Sequence, residues 1–214
     1  QPNEYGKEIP ENERKALASY VGNGYEPNQI MRGQKVDTKN VQGEVIDPLT
    51  HAVNNSSFGQ DVFVSRGMRD VLDPTRTYTD SNGYQQYKKA YGSMEVGTVF
   101  SDPAFTSTSA DPKTAEIFAS HQNDYHAEDG VIMHVRVPAG TPALSANYNN
   151  YSRPSNHEGG FGATYEYEVV LKPSQQFRVV GKVQTTATEL MGNVGDYEPS
   201  SQIVTHLFVE AING

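Results

Sequence analysis

The run Tyr165-Glu166-Tyr167-Glu168-Val169-Val170-Leu171 puts two carboxylates two residues apart at the head of a β-rich stretch. In an extended strand, side chains at i and i+2 share a face. Glu166 and Glu168 are therefore expected to project together, with Tyr165, Tyr167 and Val169 on the other side. Adjacent like charges repel, and the repulsion is expected to raise one of the two carboxyl pKa values. An isolated Glu-x-Glu is most often a charged strand edge that aids solubility, so a functional reading needs partners. Two candidates precede it. In Phe105-Thr106-Ser107-Thr108-Ser109, the hydroxyls of Ser107 and Ser109 share one strand face and Thr108 takes the other; a hydroxyl can orient a carboxylate without adding charge. Arg66 ends the apolar run Asp61-Val62-Phe63-Val64-Ser65 and is followed by Gly67. An arginine at a strand end can grip a phosphate through paired hydrogen bonds, and a glycine lets a flat ring approach the backbone.

In the order Arg66-Gly67, then Phe105-Thr106-Ser107-Thr108-Ser109, then Tyr165-Glu166-Tyr167-Glu168-Val169-Val170-Leu171, the chain resembles the mono-ADP-ribosyltransferase toxins and effectors of the arginine–serine–glutamate class. Lys172-Pro173-Ser174-Gln175-Gln176-Phe177-Arg178-Val179-Val180 fits the turn and second apolar strand of that family, and Tyr20 to Tyr25 ahead of Met31-Arg32-Gly33 fits its N-terminal helical segment. The resemblance spans about residues 10 to 212. It implies that NAD+ loses nicotinamide and its ADP-ribose passes to a protein side chain through an oxocarbenium-like transition state, as in glycoside hydrolysis. It also implies roles: Glu168 on the nicotinamide ribose, Ser107 holding Glu168, Arg66 on a phosphate, the Gly67 backbone at the nicotinamide amide, and Thr108 and Ser109 in the cofactor site. Glu166 at the first carboxylate position goes in this family with an arginine acceptor. That acceptor would be a host protein such as actin or a GTPase, reached by a secreted or injected monomer acting in the host cytosol. Two places depart from the pattern. Asp102-Pro103-Ala104 stands where many toxins carry an asparagine, and His121 stands where some relatives place a second phosphate-binding arginine. Arg69 and Arg136 are then possible substitutes, and Phe118 is either a cofactor-packing aromatic or a core residue. The competing readings are an NAD+ glycohydrolase of the same fold and a non-catalytic binding module.

These residues need elements to hold them. Pro10 to Val21 reads as a helix ended by Gly22-Asn23-Gly24. Pro27 to Arg32 reads as a short helix and Val45 to Val53 as a third, with Asn54-Asn55-Ser56-Ser57 as its exit. Strands are expected at 61–66, 97–100, 105–109, 130–137, 166–171, 176–183 and 203–212. Asp111-Pro112 reads as an N-cap and first-turn proline of a helix running to about Ser120. Helices first and strands after is an α+β order. The resemblance makes this an ADP-ribosyltransferase fold, with N-terminal helices packed on two mainly antiparallel sheets that flank an NAD cleft. One domain over residues 1–214 is expected, helical to about 60 and β-rich beyond. Residues 146–164, rich in Asn, Ser and Gly, read as a long loop leading into the Glu pair, and Asn82-Gly83 as a turn.

Bulk composition narrows the alternatives. The 214 residues carry 17 basic and 26 acidic side chains, a net charge of -9. That argues against a nucleic-acid partner and an anionic membrane surface, though not against a nucleotide in a local basic pocket. Without cysteine, thiolate catalysis, disulfides and zinc-thiolate sites are excluded. No stretch has the length of a membrane span. Opening on Gln1 without an apolar leader, the chain reads as a processed or trimmed product. There is no phosphate loop of the GxxxxGK[ST] type and no GxGxxG; Gly159-Gly160-Phe161-Gly162 precedes a strand and reads as flexibility. His121, Asp124, His126, Glu128 and Asp129 match no standard metal spacing and read as a solvated loop, so no metal is expected.

Overall fold

The computed structural model describes residues 9–70, 72–79, 81, 83, 85–120, 129–146, 167–186 and 203–212. Helices come first. They are α1 (Glu11–Gly22), α2 (Tyr25–Met31), a π-helical turn (Gln42–Ile46) running into α3 (Asp47–Asn54), and later α4 (Pro112–Ser120). Ten strands follow or interleave: β1 (Val62–Arg69), β2 (Leu72–Thr79), β3 (Gln85–Lys89), β4 (Val99–Ser101), β5 (Thr106–Ser109), β6 (Gly130–Val137), β7 (Ala143–Ser145), β8 (Glu168–Leu171), β9 (Gln176–Thr186) and β10 (Ile203–Ile212). The α+β class expected from the order of elements holds. Among the described residues, no helix is long and apolar enough to cross a membrane.

Eight strands form one hydrogen-bonded sheet in the order β4-β9-β10-β6-β1-β5-β8-β7, and β2 and β3 make a separate hairpin. Every pairing in the large sheet is antiparallel except β6 with β10. The expectation of two sheets therefore meets a continuous one. Its halves still face each other: Val169 and Leu171 of β8 share an apolar cluster with Phe177 and Val179 of β9, five places away in the strand order. A sheet this wide twists and curls until it encloses its own core.

The outer face of the β5–β8–β7 half is covered by helices. Ala16, Leu17 and Tyr20 of α1, at helical spacing, pack with Leu49, Ala52 and Val53 of α3 against Phe105, Leu144 and Val170. Leu17 is fully buried, and Leu17→Ala at such a site costs about 2–5 kcal/mol. The outer face of the other half is covered at one end by α4. There the helix backbone lies directly on the sheet. A Cβ on Gly67 would stand 1.9 Å from the Ala115 carbonyl oxygen, and one on Gly130 would stand 2.2 Å from that of Ala119. Both positions must stay glycine for α4 to sit where it does.

Candidate active site

Three neighbouring strands bring the sequence-predicted residues together. β1 carries Arg66, β5 carries Ser107 to Ser109, and β8 opens on Glu168. The register pairs Ser65 with Ser109, Ser109 with Glu168, Thr108 with Val169 and Ser107 with Val170. Thr108 Oγ1 donates to the Val169 carbonyl at 2.7 Å, which locks β5 to β8. Arg66 reaches from β1 across to β5 and donates from Nη1 to the Ser107 carbonyl oxygen at 2.9 Å. Opposite Glu168 stands Ser109, and Ser107 lies one pleat further along the same face.

The Ser107 hydroxyl meets a residue from the far end of the chain. Its Oγ lies 2.9 Å from the Tyr20 hydroxyl, and Asn28 Nδ2 of α2 donates to the same phenol oxygen at 3.0 Å. The Tyr20 ring is buried and rests edge-on against Phe105 with centroids 5.2 Å apart. Burial pushes the Tyr20 phenol up; the hydrogen bonds with Ser107 and Asn28 oppose that, the Glu168 carboxylate adds to it, and the Arg66 charge works against it. Tyr20 thus lies within the electrostatic reach of both Glu168 and Arg66.

A second arginine stands beside this group. Arg32, at the C-cap of α2, grips Asp102 with Nε to Oδ1 at 2.9 Å and Nη2 to Oδ2 at 2.5 Å. The Ala104 amide also donates to Asp102 Oδ1 at 3.0 Å. Burial opposes ionisation of Asp102, but the Arg32 hydrogen bonds, the Ala104 amide and the charges of Arg32 and Arg66 together hold its carboxyl below the usual range. Arg32 and Arg66 therefore share the field of one half-buried acid. Tyr91 lies close enough to feel both arginines, and burial pushes its phenol up.

Several expectations need correction. The strand after the long loop begins at Glu168, because Tyr167 has φ 42°, a left-handed conformation outside the strand region. Glu166 and Tyr165 lie outside the described residues, as do His121, Asp124, His126, Glu128, Asn82 and Gly159 to Gly162. Gly67 has its missing side chain filled by α4, so a flat ring cannot approach from that side. Phe118 is 46% exposed on α4, which removes the core reading. Arg136 faces away from Arg66: it is opposite Phe63 in the β1–β6 register and is paired with Asp61 and Glu210. Asp129 ties the ends of strands together, accepting from the Ile203 amide through Oδ1 and from the Asp70 amide through its carbonyl. Among the described residues, no group of three His, Cys, Asp or Glu side chains is placed to hold a metal.

Tyr20, Asn28 and Arg32 were not singled out by sequence as site residues. A signal existed for the first: Tyr20 continues the apolar spacing of Ala16 and Leu17, and a buried tyrosine hydroxyl requires a partner.

A second polar cluster starts from Ser65, which shares a sheet face with Ser109 through the β1–β5 register. Ser65, His134, His206 and Thr185 stand on β1, β6, β10 and β9. His134 Nε2 and His206 Nδ1 are 3.0 Å apart, Ser65 Oγ is 3.4 Å from His134 Nδ1, and Thr185 Oγ1 is 3.0 Å from His206 Nε2. The His134 ring is stacked between His206 and Phe208.

Known proteins share this architecture. The Vis ADP-ribosyltransferase of Vibrio splendidus, solved in complex with agmatine, is similar over 97% of this chain and 77% of its own, with TM-score 0.60 and 20% identity. Plx2a, an ADP-ribosyltransferase toxin from Paenibacillus larvae, is similar over 96% and 88%, with TM-score 0.62 and 12% identity. Exoenzyme S of Pseudomonas aeruginosa, solved bound to carba-NAD with a human 14-3-3 protein, is similar over 94% and 74%, with TM-score 0.58 and 18% identity. At these identities the likeness is one of fold. No curated protein matches the chain significantly in sequence. A sequence model described as ADP-ribosyltransferase exoenzyme matches residues 1–210, and the chain belongs to that family.

Proposed function

We propose that the chain is an NAD+-dependent mono-ADP-ribosyltransferase that modifies an arginine side chain of a host protein, as a secreted or delivered toxin. The observation that carries this reading is the adjacency of Arg66, Ser107 and Glu168 on β1, β5 and β8 in a member of the family. The carba-NAD bound to exoenzyme S and the agmatine bound to Vis, a small guanidine, favour NAD+ as donor and a guanidinium as acceptor.

The Glu168 carboxylate hydrogen-bonds the ribose and stabilises the positive charge that develops as the bond from the ribose carbon to nicotinamide breaks. Nicotinamide leaves with the bonding electron pair. Tyr20 accepts from Asn28, so its own proton can point at Ser107 Oγ, leaving the Ser107 proton to be donated onward to the carboxylate. Arg66, with Arg32 beside it, supplies the positive charge for the pyrophosphate, and Phe118, Thr108 and Ser109 line the cofactor site. A guanidinium is protonated at neutral pH and a poor nucleophile. Glu166 is assigned to orient the acceptor and take its proton as the guanidine nitrogen bonds to the ribose carbon.

The test compares NAD+ cleavage with protein labelling. Glu168→Gln is expected to lose both by about a hundredfold or more. Glu166→Gln is expected to lose labelling and keep most cleavage. Full labelling by Glu168→Gln overturns the assignment, and nicotinamide release without any labelled protein or guanidine points to a glycohydrolase instead.

A further inference from the structure

Asp70 directly follows β1, the strand that carries Arg66, and is 2% exposed. Both of its carboxylate oxygens serve one short stretch of backbone. The Tyr91 amide donates to Oδ1 at 2.9 Å and the Gly92 amide to Oδ2 at 2.8 Å. Lys182 Nζ of β9 holds the same stretch through its carbonyls, donating to Gly92 at 2.6 Å and to Met94 at 3.2 Å. The Met94 amide closes the turn by donating to the Tyr91 carbonyl at 2.9 Å. Burying an acid is costly, and burial pushes the Asp70 carboxyl up. Here that cost goes into fixing one turn.

The large side chain of this turn is Tyr91. With Val62, Met68 and Phe100 it packs against the core cluster that contains Val64 and Met133. Val64 and Met68 flank Arg66 on its own face of β1. The Tyr91 ring also meets Phe100 edge-on, with centroids 6.0 Å apart, and Phe100 leads through Ser101 to Asp102, the partner of Arg32. Tyr91 thus stands between the strand that carries Arg66 and the segment that holds Arg32. The charges of Arg66, Asp102 and Arg32 all reach its phenol. Among the described residues, the Tyr91 amide and carbonyl have hydrogen-bond partners and its hydroxyl has none.

We propose that Tyr91 is a further cofactor-binding residue, its hydroxyl donating a hydrogen bond to the NAD+ pyrophosphate in the space it borders with Arg66 and Arg32. The inference rests on the transferase reading above. A pyrophosphate brings a negative charge on each phosphate and many acceptor lone pairs. Asp102 offsets part of the arginine charge in this place. A neutral phenol adds a donor without burying another ion. Burial keeps the phenol protonated, as donation requires.

The experiment uses the full chain and follows NAD+ consumption, with ADP and nicotinamide as competing inhibitors. ADP carries the pyrophosphate and nicotinamide carries no phosphate. Tyr91→Phe keeps the ring on Phe100 and removes the hydroxyl alone. It is expected to raise the KM for NAD+ and the inhibition constant of ADP by about tenfold each, the scale of a hydrogen bond to a charged group. Its kcat is expected to stay within about twofold, with nicotinamide inhibition and thermal midpoint unchanged. An unchanged KM and ADP constant overturn the proposal. So does a fall in kcat or a weakening of nicotinamide of the same size, which would move the hydroxyl to the reacting end of the cofactor. A wild-type chain that consumes no NAD+ removes the transferase reading and this inference with it, whereas an unaffected variant of an active wild type sinks the inference alone.

Discussion

From Ser65 and Arg66, neighbours on β1, two polar clusters grow in opposite directions. Arg66 leads across β5 to Ser107, Tyr20, Asn28, Asp102 and Arg32; Ser65 leads the other way along the strand order, across β6 and β10, to His134, His206 and Thr185. The first is charged and is assembled over long sequence separations, from α1, α2 and the segment before β5. The second is neutral and is built across adjacent strands. A sheet produces the second kind cheaply, because register alone sets its members side by side. The first kind needs helices brought from the N-terminus to hold two arginines and an acid in a half-buried place. Charge concentrated against that cost of desolvation is the mark of a site with a ligand to meet.

The largest effect expected from this contrast is at Arg66. Arg66→Ala is expected to lower kcat/KM for NAD+ cleavage by about a hundredfold, the scale of losing a charge-assisted contact to a phosphate. Retained activity would mean that the charged cluster is structural after all. Tyr20→Phe comes next. It removes the hydroxyl shared by Ser107 and Asn28 while keeping the ring on Phe105, and is expected to cost about 1–3 kcal/mol of stability because Asn28 is left unpaired in a buried place. Its kcat for NAD+ cleavage is expected to fall more than its KM, and a change in stability alone would separate Tyr20 from the chemistry.

The histidine pair predicts a smaller, pH-dependent effect. Burial holds both imidazoles below the ordinary value of 6.5, and His206 adds to this for His134. Below pH 6.5 the unfolded chain therefore binds more protons than the folded one, so the stability of the neutral pair is complete above 6.5 and is lost as pH falls through and below it. The charged groups on this face, Arg136, Asp61 and Glu210, are engaged with one another. The denaturation midpoint is expected to be lower at pH 5 than at pH 7.5, and His134→Asn with His206→Asn is expected to flatten that dependence. The smallest effect is at Arg136: Arg136→Gln is expected to leave NAD+ cleavage within about twofold, as for an exposed ion pair remote from a site. A large loss there would erase the distinction between the two clusters.

Much of this was legible in the sequence, for definite reasons. β6 and β10 are long runs rich in Val and Ile whose bounds, Gly130–Val137 and Ile203–Ile212, match the sequence reading. The Asp111-Pro112 signal marked the start of α4, where the Lys113 amide donates to Asp111 Oδ1 at 3.1 Å. The short strand β7 and the hairpin of β2 and β3 were not seen, since Ala143–Ser145 and a strand containing Pro74 lack an alternating apolar pattern. The break before β8 was hidden too: Tyr favours strands, and nothing in its type announces a positive φ at 167. Tyr20 could be read as a buried tyrosine in need of a partner, but that partner, Ser107, stands 87 positions away in the chain and nothing local points to it.

The seating of α4 on Gly67 and Gly130 has an evolutionary consequence. Side-chain contacts between a helix and a sheet can drift, because one residue can shrink as its neighbour grows. Here backbone meets backbone, and no compensating partner exists for an added methyl at either position. Two residues, Ala110 and Asp111, separate the end of β5 from the start of α4, so any shift of the helix is delivered to Ser109 and the strand behind it. Lineages of this protein are therefore expected to keep glycine at 67 and 130 together, as a unit of inheritance tied to β5.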